Sequence, residues 1–325
     1  MVIALFMKLG AVLTVVLLLA AYLVLLERKL LGRFQLRLGP NRAGWHGLLQ
    51  SFADGIKLLA KEDIVPAGAD RFIFLYAPAI VAAISLLLLA VIPFGKSSVV
   101  TGAEVPKVIA DLNVGVLYVL ALSSFGVYGV ILGGWAANSK YSLLGAIRAT
   151  AQMISYELAL GLSLVPVVML AHSFSLVDIV NAQARYPFIL VQPVAFIIFF
   201  ISAMAESKRL PFDLPEAENE LMAGFHTEYS GMRFALFFLG EYINMIALGA
   251  LIAVFFLGGW RGPLLPPVVW LLVKILLVPF VLIWTRATLP RLRYDQLMAF
   301  GWKFLVPVAL LNIVISGGVI LWMGA

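Results

Sequence analysis

Eight apolar stretches near bilayer length, at residues 9–26, 72–95, 113–135, 147–171, 187–205, 234–257, 267–285 and 302–323, take up more than half of this chain. Stretches that long and apolar partition into a membrane, where every backbone N–H and C=O must be satisfied within the protein. A helix does this segment by segment. The expected fold class is therefore an all-α polytopic membrane protein, with about eight transmembrane helices in a single integral membrane domain over residues 1–325. The first stretch follows Lys8 as a signal peptide would, but it is too long and runs straight into Glu27-Arg28-Lys29 without an A-x-A site. It is expected to stay as a span.

An even number of spans puts both termini on one side, and the basic residues say which. The odd-numbered connections with their span ends carry 17 Lys and Arg, the opposite side carries 5, and Lys274 lies inside a span. The positive-inside rule then puts the odd connections in the cytoplasm and both termini outside. Two cytoplasmic loops are large, at 27–71 and 206–233. Cysteine is absent, which excludes disulfides and Cys-ligated clusters. No G-x-G-x-x-G or G-x-x-x-x-G-K-[ST] loop occurs, so electrons and nucleotides, if involved, belong to partners. Without an arginine stripe interleaved with aromatics, no nucleic acid is expected as a partner. The histidines, His46, His172 and His226, fall in three separate loops and read as hydrogen-bonding groups; no metal site is expected. Trp45, Trp135, Trp260, Trp302 and Trp322 stand near span ends and read as interfacial anchors.

In the first loop, Gly39-Pro40-Asn41 signals a turn. Beyond it Trp45, Leu48, Leu49, Phe52, Ile56 and Leu59 share one helical face, while Gln50, Asp54, Lys57 and Lys61 occupy the other. That pattern predicts an amphipathic helix in the interface plane, its apolar face toward lipid or a lipid-soluble ligand.

Acids inside spans are costly, about 2.5–3.5 kcal/mol each on insertion scales, and so point to function. At about 1.5 Å per residue, Glu157 lies about 13 Å in from Arg148 and Glu241 about 12 Å in from Arg233, near the middle of a core about 30 Å thick. Matching depth makes them candidate neighbours. Asn244 and Gly240 suggest a polar, closely approached face beside Glu241. The structural alternative is an ion pair with Lys274, which lies at comparable depth. In the loop between these spans, Asp213, Glu216 and Glu220 fall at i, i+3 and i+7, on one face of a helix beginning near Pro215, with Glu218 turned aside and Glu228 further on. Such a cluster either holds protons near neutral pH or forms a solvated acidic surface for a basic soluble subunit.

The segments Glu27-Arg28-Lys29-Leu30-Leu31-Gly32, Arg37-Leu38-Gly39-Pro40-Asn41-Arg42, Lys140-Tyr141-Ser142-Leu143-Leu144-Gly145, Leu210-Pro211-Phe212-Asp213-Leu214-Pro215-Glu216-Ala217-Glu218 and Phe225-His226-Thr227-Glu228-Tyr229-Ser230-Gly231-Met232 carry a resemblance. The chain is similar, over essentially its whole length, to the H subunit of bacterial respiratory complex I, the proton-pumping NADH:quinone oxidoreductase, equivalent to mitochondrial subunit 1. The resemblance implies a non-redox subunit, inactive alone, at the heel of an L-shaped complex. Its first span, interfacial helix and sixth span would line a tunnel for ubiquinone or menaquinone, with Arg28, Trp45, Leu49, Phe52, Ala53, Asp54 and Ile56 in the segments concerned. FMN and iron–sulfur clusters would sit in soluble subunits of the peripheral arm, with antiporter-like and small membrane-arm subunits as the other partners. The family's acidic path maps onto Glu157, Asp213, Glu216, Glu218, Glu220, Glu228 and Glu241.

A charge appearing about 10 Å from a carboxylate at an effective ε of about 20 is worth ~1.7 kcal/mol. A reduced quinone therefore acts on the nearest acids only, and a chain of acids is needed. Two other functional classes compete. A secondary ion transporter would use Glu157 and Glu241 for a coupling ion but calls for internal repeats, which the halves do not display. A membrane-bound hydrogenase subunit would share the acidic loop without needing quinone.

Overall fold

The computed structural model describes residues 2–100, 103–214 and 222–323. Helix α1 (Val2–Phe34) leads through an exposed turn and a single 3₁₀ turn at Trp45–Gly47 to the short α2 (Gln50–Ala60). Then come α3 (Arg71–Leu88), a two-stranded hairpin β1 (Gly95–Val100) and β2 (Ala103–Lys107), α4 (Gly115–Ala136) and the 32-residue α5 (Lys140–Ala171). The hairpin is antiparallel, with Ser98 opposite Val105. After α6 (Leu176–Ala182), α7 (Phe188–Val191) and α8 (Pro193–Glu206) come α9 (Gly231–Phe256), α10 (Pro267–Thr288), α11 (Tyr294–Phe300) and α12 (Val306–Met323). A π-helical turn at Gly301–Leu305 joins the last two into one span.

The chain is an all-α polytopic membrane protein. Among the described residues seven helices are long and apolar enough to cross a bilayer, and the fifth apolar stretch is the exception. Pro193 lacks an N–H and disfavours helical backbone at the residue before it, and Gln192 accordingly breaks out at φ −127°, ψ 58°. What remains is the 14-residue α8, about 21 Å long. The break is closed by side chains: Gln192 donates to Ser316 Oγ at 2.9 Å and accepts from Asn312 Nδ2 at 3.2 Å, both on α12. The first span also differs from expectation, since α1 continues to Phe34 and makes the start of the 27–71 loop helical.

The sidedness of the connections is visible in the packing. At one end the odd-numbered loops meet: Arg209 and Arg286 both reach Glu27, Arg233 pairs with Asp63 at 3.0 Å, and Ser142 donates to the Phe225 carbonyl. At the other end the even-numbered connections meet, through Val116 N–H to the Phe174 carbonyl and Gly258 N–H to Gln183. At the first end Asp70 caps α3 by accepting from the N–H groups of Phe72 and Ile73, supplying acceptors for two of that helix's orphan donors.

At the centre stands α9, packed against α3, α10 and α1 and buried along most of its length. Its run Met245–Phe256 is apolar on every face, as a helix surrounded by others must be. Gly240 lets α3 approach: a Cβ there would meet Val81 and the Ala82 backbone at 3.0–3.3 Å. Trp260, read as an interfacial anchor, is 3% exposed and packs in this core, whereas Trp45, Trp135, Trp302 and Trp322 are exposed.

Candidate functional site

The helical spacing of α1 carries an acid into the interior. Glu27 stands four, seven and eleven residues after Leu23, Ala20 and Val16, all buried on the stripe facing α9 and α10. Its carboxylate is 2% exposed and is held by Arg209 at 2.6 Å, by Arg286, and by the Tyr242 hydroxyl at 2.7 Å. Arg209 also pairs with Glu241, Nε to Oε1 at 2.6 Å, an approach that is electrostatic rather than a well-aligned hydrogen bond. The guanidinium lies over the Tyr242 ring.

Asp213 joins the same cluster from the loop after α8. Its backbone carbonyl accepts from Arg291 at 2.6 Å, and a small cavity of about 50 Å³ is lined by its side together with Arg209, Glu241, Tyr242 and Arg286. Burial pushes its carboxyl up to about 6, against the pull of Arg291 and Arg286 and with a push from Glu241. Three acids thus face three arginines at the loop end of α9. Burying the Glu27 and Glu241 charges is tolerable because arginines partner them, whereas Asp213 Oδ1 is buried without a hydrogen-bond partner among the described residues.

A second cavity of about 50 Å³ continues from this cluster, sharing Lys208, Phe238 and Glu241 with the first. Its walls include Asn244, the neighbour expected one turn from Glu241, and His226. Glu206 and Ser123 line it as well. Glu206 is 6% exposed at the end of α8, with Glu157 close enough to act on it electrostatically. Glu157 accepts from the hydroxyls of Ser123, at 3.3 Å, and Ser124 on α4. Beyond it an open groove lined by Leu120, Ile154, Trp302 and Glu157 itself reaches the lateral surface. Glu241 and Glu206 line this cavity, and Glu157 reaches it through Ser123, which lines the cavity and donates to Glu157.

Lys274 takes no part in this site, contrary to the ion pair offered as the structural alternative. Its ammonium donates to the carbonyls of Leu257, Gly259 and Arg261 at 2.6, 2.9 and 2.6 Å. It caps the far end of α9, where orphan carbonyls attract a cation. Glu228 lies half-buried in the turn before α9 and forms no ion pair among the described residues. Glu216, Glu218 and Glu220, with the helix expected from Pro215, lie outside the described residues.

The amphipathic helix of the first loop is α2, shorter than predicted because His46 and Gly47 take positive φ and split Trp45 from it. It lies along α1: Ser51 donates to the Ala21 carbonyl at 2.6 Å, Phe52 meets the Tyr22 ring edge-on, and Asp54 pairs with Arg28 and accepts from Gln50. The apolar stripe of Trp45, Leu49, Phe52 and Ile56 is left exposed, and Ala53 is exposed too. One turn from Tyr22, Leu19 lines an apolar cavity of about 480 Å³ between α1, α9 and α10, walled by Val12, Val16, Ile246, Ala250 and Ile275.

Sequence reading missed Glu27, Glu206, Arg209, Arg286 and Tyr242. For Glu27 the stripe Val16, Ala20, Leu23 was a usable signal, since an acid on a buried face needs partners. For Glu206 the signal was its position at the very end of an apolar stretch. The arginines gave none, because their partners are 182 and 259 residues away in sequence.

The sequence profile of the NADH dehydrogenase family matches residues 7–317. The chain is 71% identical over 317 residues to the NADH-quinone oxidoreductase H subunit 2 of Syntrophobacter fumaroxidans, covering 98% of this chain and 96% of that one. It is 63% identical to the H subunit of Syntrophotalea carbinolica, with the same coverage, and 58% identical to that of Thermomicrobium roseum, covering 95% and 94%. With matches running through nearly all of both partners and through every element of the buried acid line, the chain belongs to the H-subunit family of NADH-quinone oxidoreductase, respiratory complex I.

Proposed function

We propose that this membrane subunit guides a quinone from the bilayer toward soluble partners and couples its reduction to proton translocation through the buried acids. The observation that carries the proposal is the order of groups: Glu27, Asp213 and Glu241 at the loop end, two water-sized cavities meeting at Glu241, then Glu206 and Glu157 beside the lateral groove. At the loop end arginines fix the charges. At Glu157 serine hydroxyls donate and a second acid, Glu206, acts on it through space, a setting suited to proton exchange rather than to a locked salt bridge.

On this reading the quinone, ubiquinone or menaquinone, travels along α2 and α1. The exposed stripe of Trp45, Leu49, Phe52 and Ile56, with Ala53, supports it, as does the apolar cavity reached past Tyr22. Arg28 and Asp54 supply the polar edge for a headgroup. FMN and iron–sulfur chemistry belong to peripheral-arm subunits, and antiporter-like subunits receive the coupling. This chain acts as a translocase subunit with no turnover of its own. Both termini lie on the outer side of a bacterial inner membrane, and Glu216, Glu218, Glu220 and Glu228 extend the path into the acidic loop.

The test compares NADH:quinone with NADH:artificial-acceptor activity in one assembled preparation. Phe52→Ala removes about 1 kcal/mol of apolar contact, so the quinone KM rises about fivefold for long-tailed substrates. Ala53→Trp obstructs passage and lowers kcat. Glu241→Gln lowers quinone reduction. None of the three changes the artificial-acceptor rate. If both activities fall in parallel, or neither changes for any tail length, α2 is a docking helix and the quinone route is wrong.

A further inference from the structure

The turn at residues 206–213 carries three charged groups of the buried cluster: Glu206 ends α8 and opens it, Arg209 stands in its middle and Asp213 closes it. Its own backbone forms two separate short turns. Lys208 N–H donates to the Ala205 carbonyl and Phe212 N–H to the Arg209 carbonyl. A side chain from α5 bridges the two. Gln152, with no exposed surface, donates from Nε2 to the carbonyls of Ala205 and Phe212, both at 2.8 Å.

Ala205 precedes Glu206 and Phe212 precedes Asp213, so one amide nitrogen ties the backbone beside both acids. A primary amide suits this task, because its two N–H bonds diverge toward two acceptors. Its Oε1 is buried without a hydrogen-bond partner among the described residues, a cost that the two bonds offset. One turn along α5, on the same face, Tyr156 packs its ring against Phe212 at 5.4 Å and donates to the Leu297 carbonyl. The next residue is Glu157, which acts electrostatically on Glu206. The helix that carries the far end of the acid line therefore also carries the fastening of its middle.

We propose that Gln152 is a positioning residue, which sets the 206–213 turn against α5 and so fixes where Glu206 and Asp213 stand relative to Glu157 and Glu241. The role rests on the acid line proposed above. Gln152 carries no proton along it. Asp213 supplies an independent readout: burial raises its carboxyl to about 6, and Arg291, Arg286, Glu241 and Arg209 are the charged groups that face it. A released turn admits water, which removes the main cause of that rise and lowers the carboxyl toward the ordinary 3.8.

The test uses Gln152→Met in the assembled complex, since methionine keeps the length and shape of the side chain but donates nothing. The protonated-carboxyl infrared band that Asp213→Asn abolishes then titrates about one pH unit lower than in the unaltered complex. The kcat of NADH:quinone reduction falls about tenfold at unchanged KM, while NADH oxidation by an artificial acceptor keeps its rate. A band that still titrates near 6 in the variant overturns the proposal, whatever the turnover. A lowered midpoint with unaltered quinone reduction and proton translocation keeps Gln152 as the clamp and contradicts the acid line instead. If the variant does not assemble, hydrogen exchange in the unaltered complex decides: a 206–213 peptide exchanging as slowly as α5 supports the clamp, and one exchanging as fast as the exposed turn after α1 overturns it.

Discussion

Glu27 and Glu157 are the same residue type in spans of the same membrane, yet their partners give them opposite chemistry. Glu27 is clamped by two guanidiniums and a phenol, so its charge is fixed. Among the described residues Glu157 accepts from two hydroxyls and lies within electrostatic reach of another acid. Replacing Glu27 by Gln leaves Arg209 with Glu241 alone and takes from Arg286 its carboxylate, and breaking a buried pair from one side costs about 3 kcal/mol. The expected outcome is a complex that loses its membrane arm at markedly lower temperature, measured by subunit retention after heating, whereas Glu157→Gln keeps its heat tolerance. Asp213 offers a pH signature. Burial raises its carboxyl from 3.8 to about 6, so the folded state binds a proton between those values that an unfolded chain releases. The protonated form stabilises the fold at low pH, and this contribution is lost as pH rises through about 6. A protonated-carboxyl infrared band that disappears across pH 6 in the assembled complex, and is missing from Asp213→Asn at every pH, is the expected observation.

At the scale of elements, the spans were legible because a bilayer permits so few backbone solutions, and apolar length alone marked all eight stretches. Their interruptions were less legible. Pro193 announced the break before α8, but only the structure supplies the reason that it is tolerated, which is Gln192 tied to Asn312 and Ser316. The amphipathic face of α2 was readable from its period, whereas its start was not, because His46 takes an unusual positive φ. The ion pair offered as the alternative for Lys274 is not what the structure shows, since depth along a helix says nothing about which neighbour's end a long side chain reaches. The cap it makes predicts that Lys274→Met destabilises the α9–α10 connection by about 1–3 kcal/mol while leaving quinone reduction per assembled complex unchanged. Protease resistance of residues 257–266 alongside turnover measures both. Intact resistance with failed turnover would return Lys274 to the charge path.

For the whole molecule, alternation of the connections between two ends is now a packing fact, and the assignment of those ends to cytoplasm and exterior rests on the basic residues alone. Leu264 stands fully exposed in the connection between α9 and α10. In a chain without thiols, Leu264→Cys reacts with an impermeant reagent in intact cells; reaction only in inverted vesicles would reverse the orientation. The acid line crosses the subunit from the loop end of α9 to the lateral groove at Glu157, and half of it was legible as acids at matched depth. The other half, Glu27 with its arginines and Glu206, depended on contacts between distant segments that no local pattern encodes. If the line couples the chemistry to charge movement, its two ends must be needed together. The most direct measurement is proton translocation per electron in proteoliposomes containing the assembled Glu157→Gln/Glu241→Gln complex, with NADH oxidation by an artificial acceptor as the control. Quinone reduction and proton translocation falling together, at an unchanged control rate, is the predicted result; unaltered turnover and translocation in that double variant would contradict it and leave the buried acids as structural polar groups.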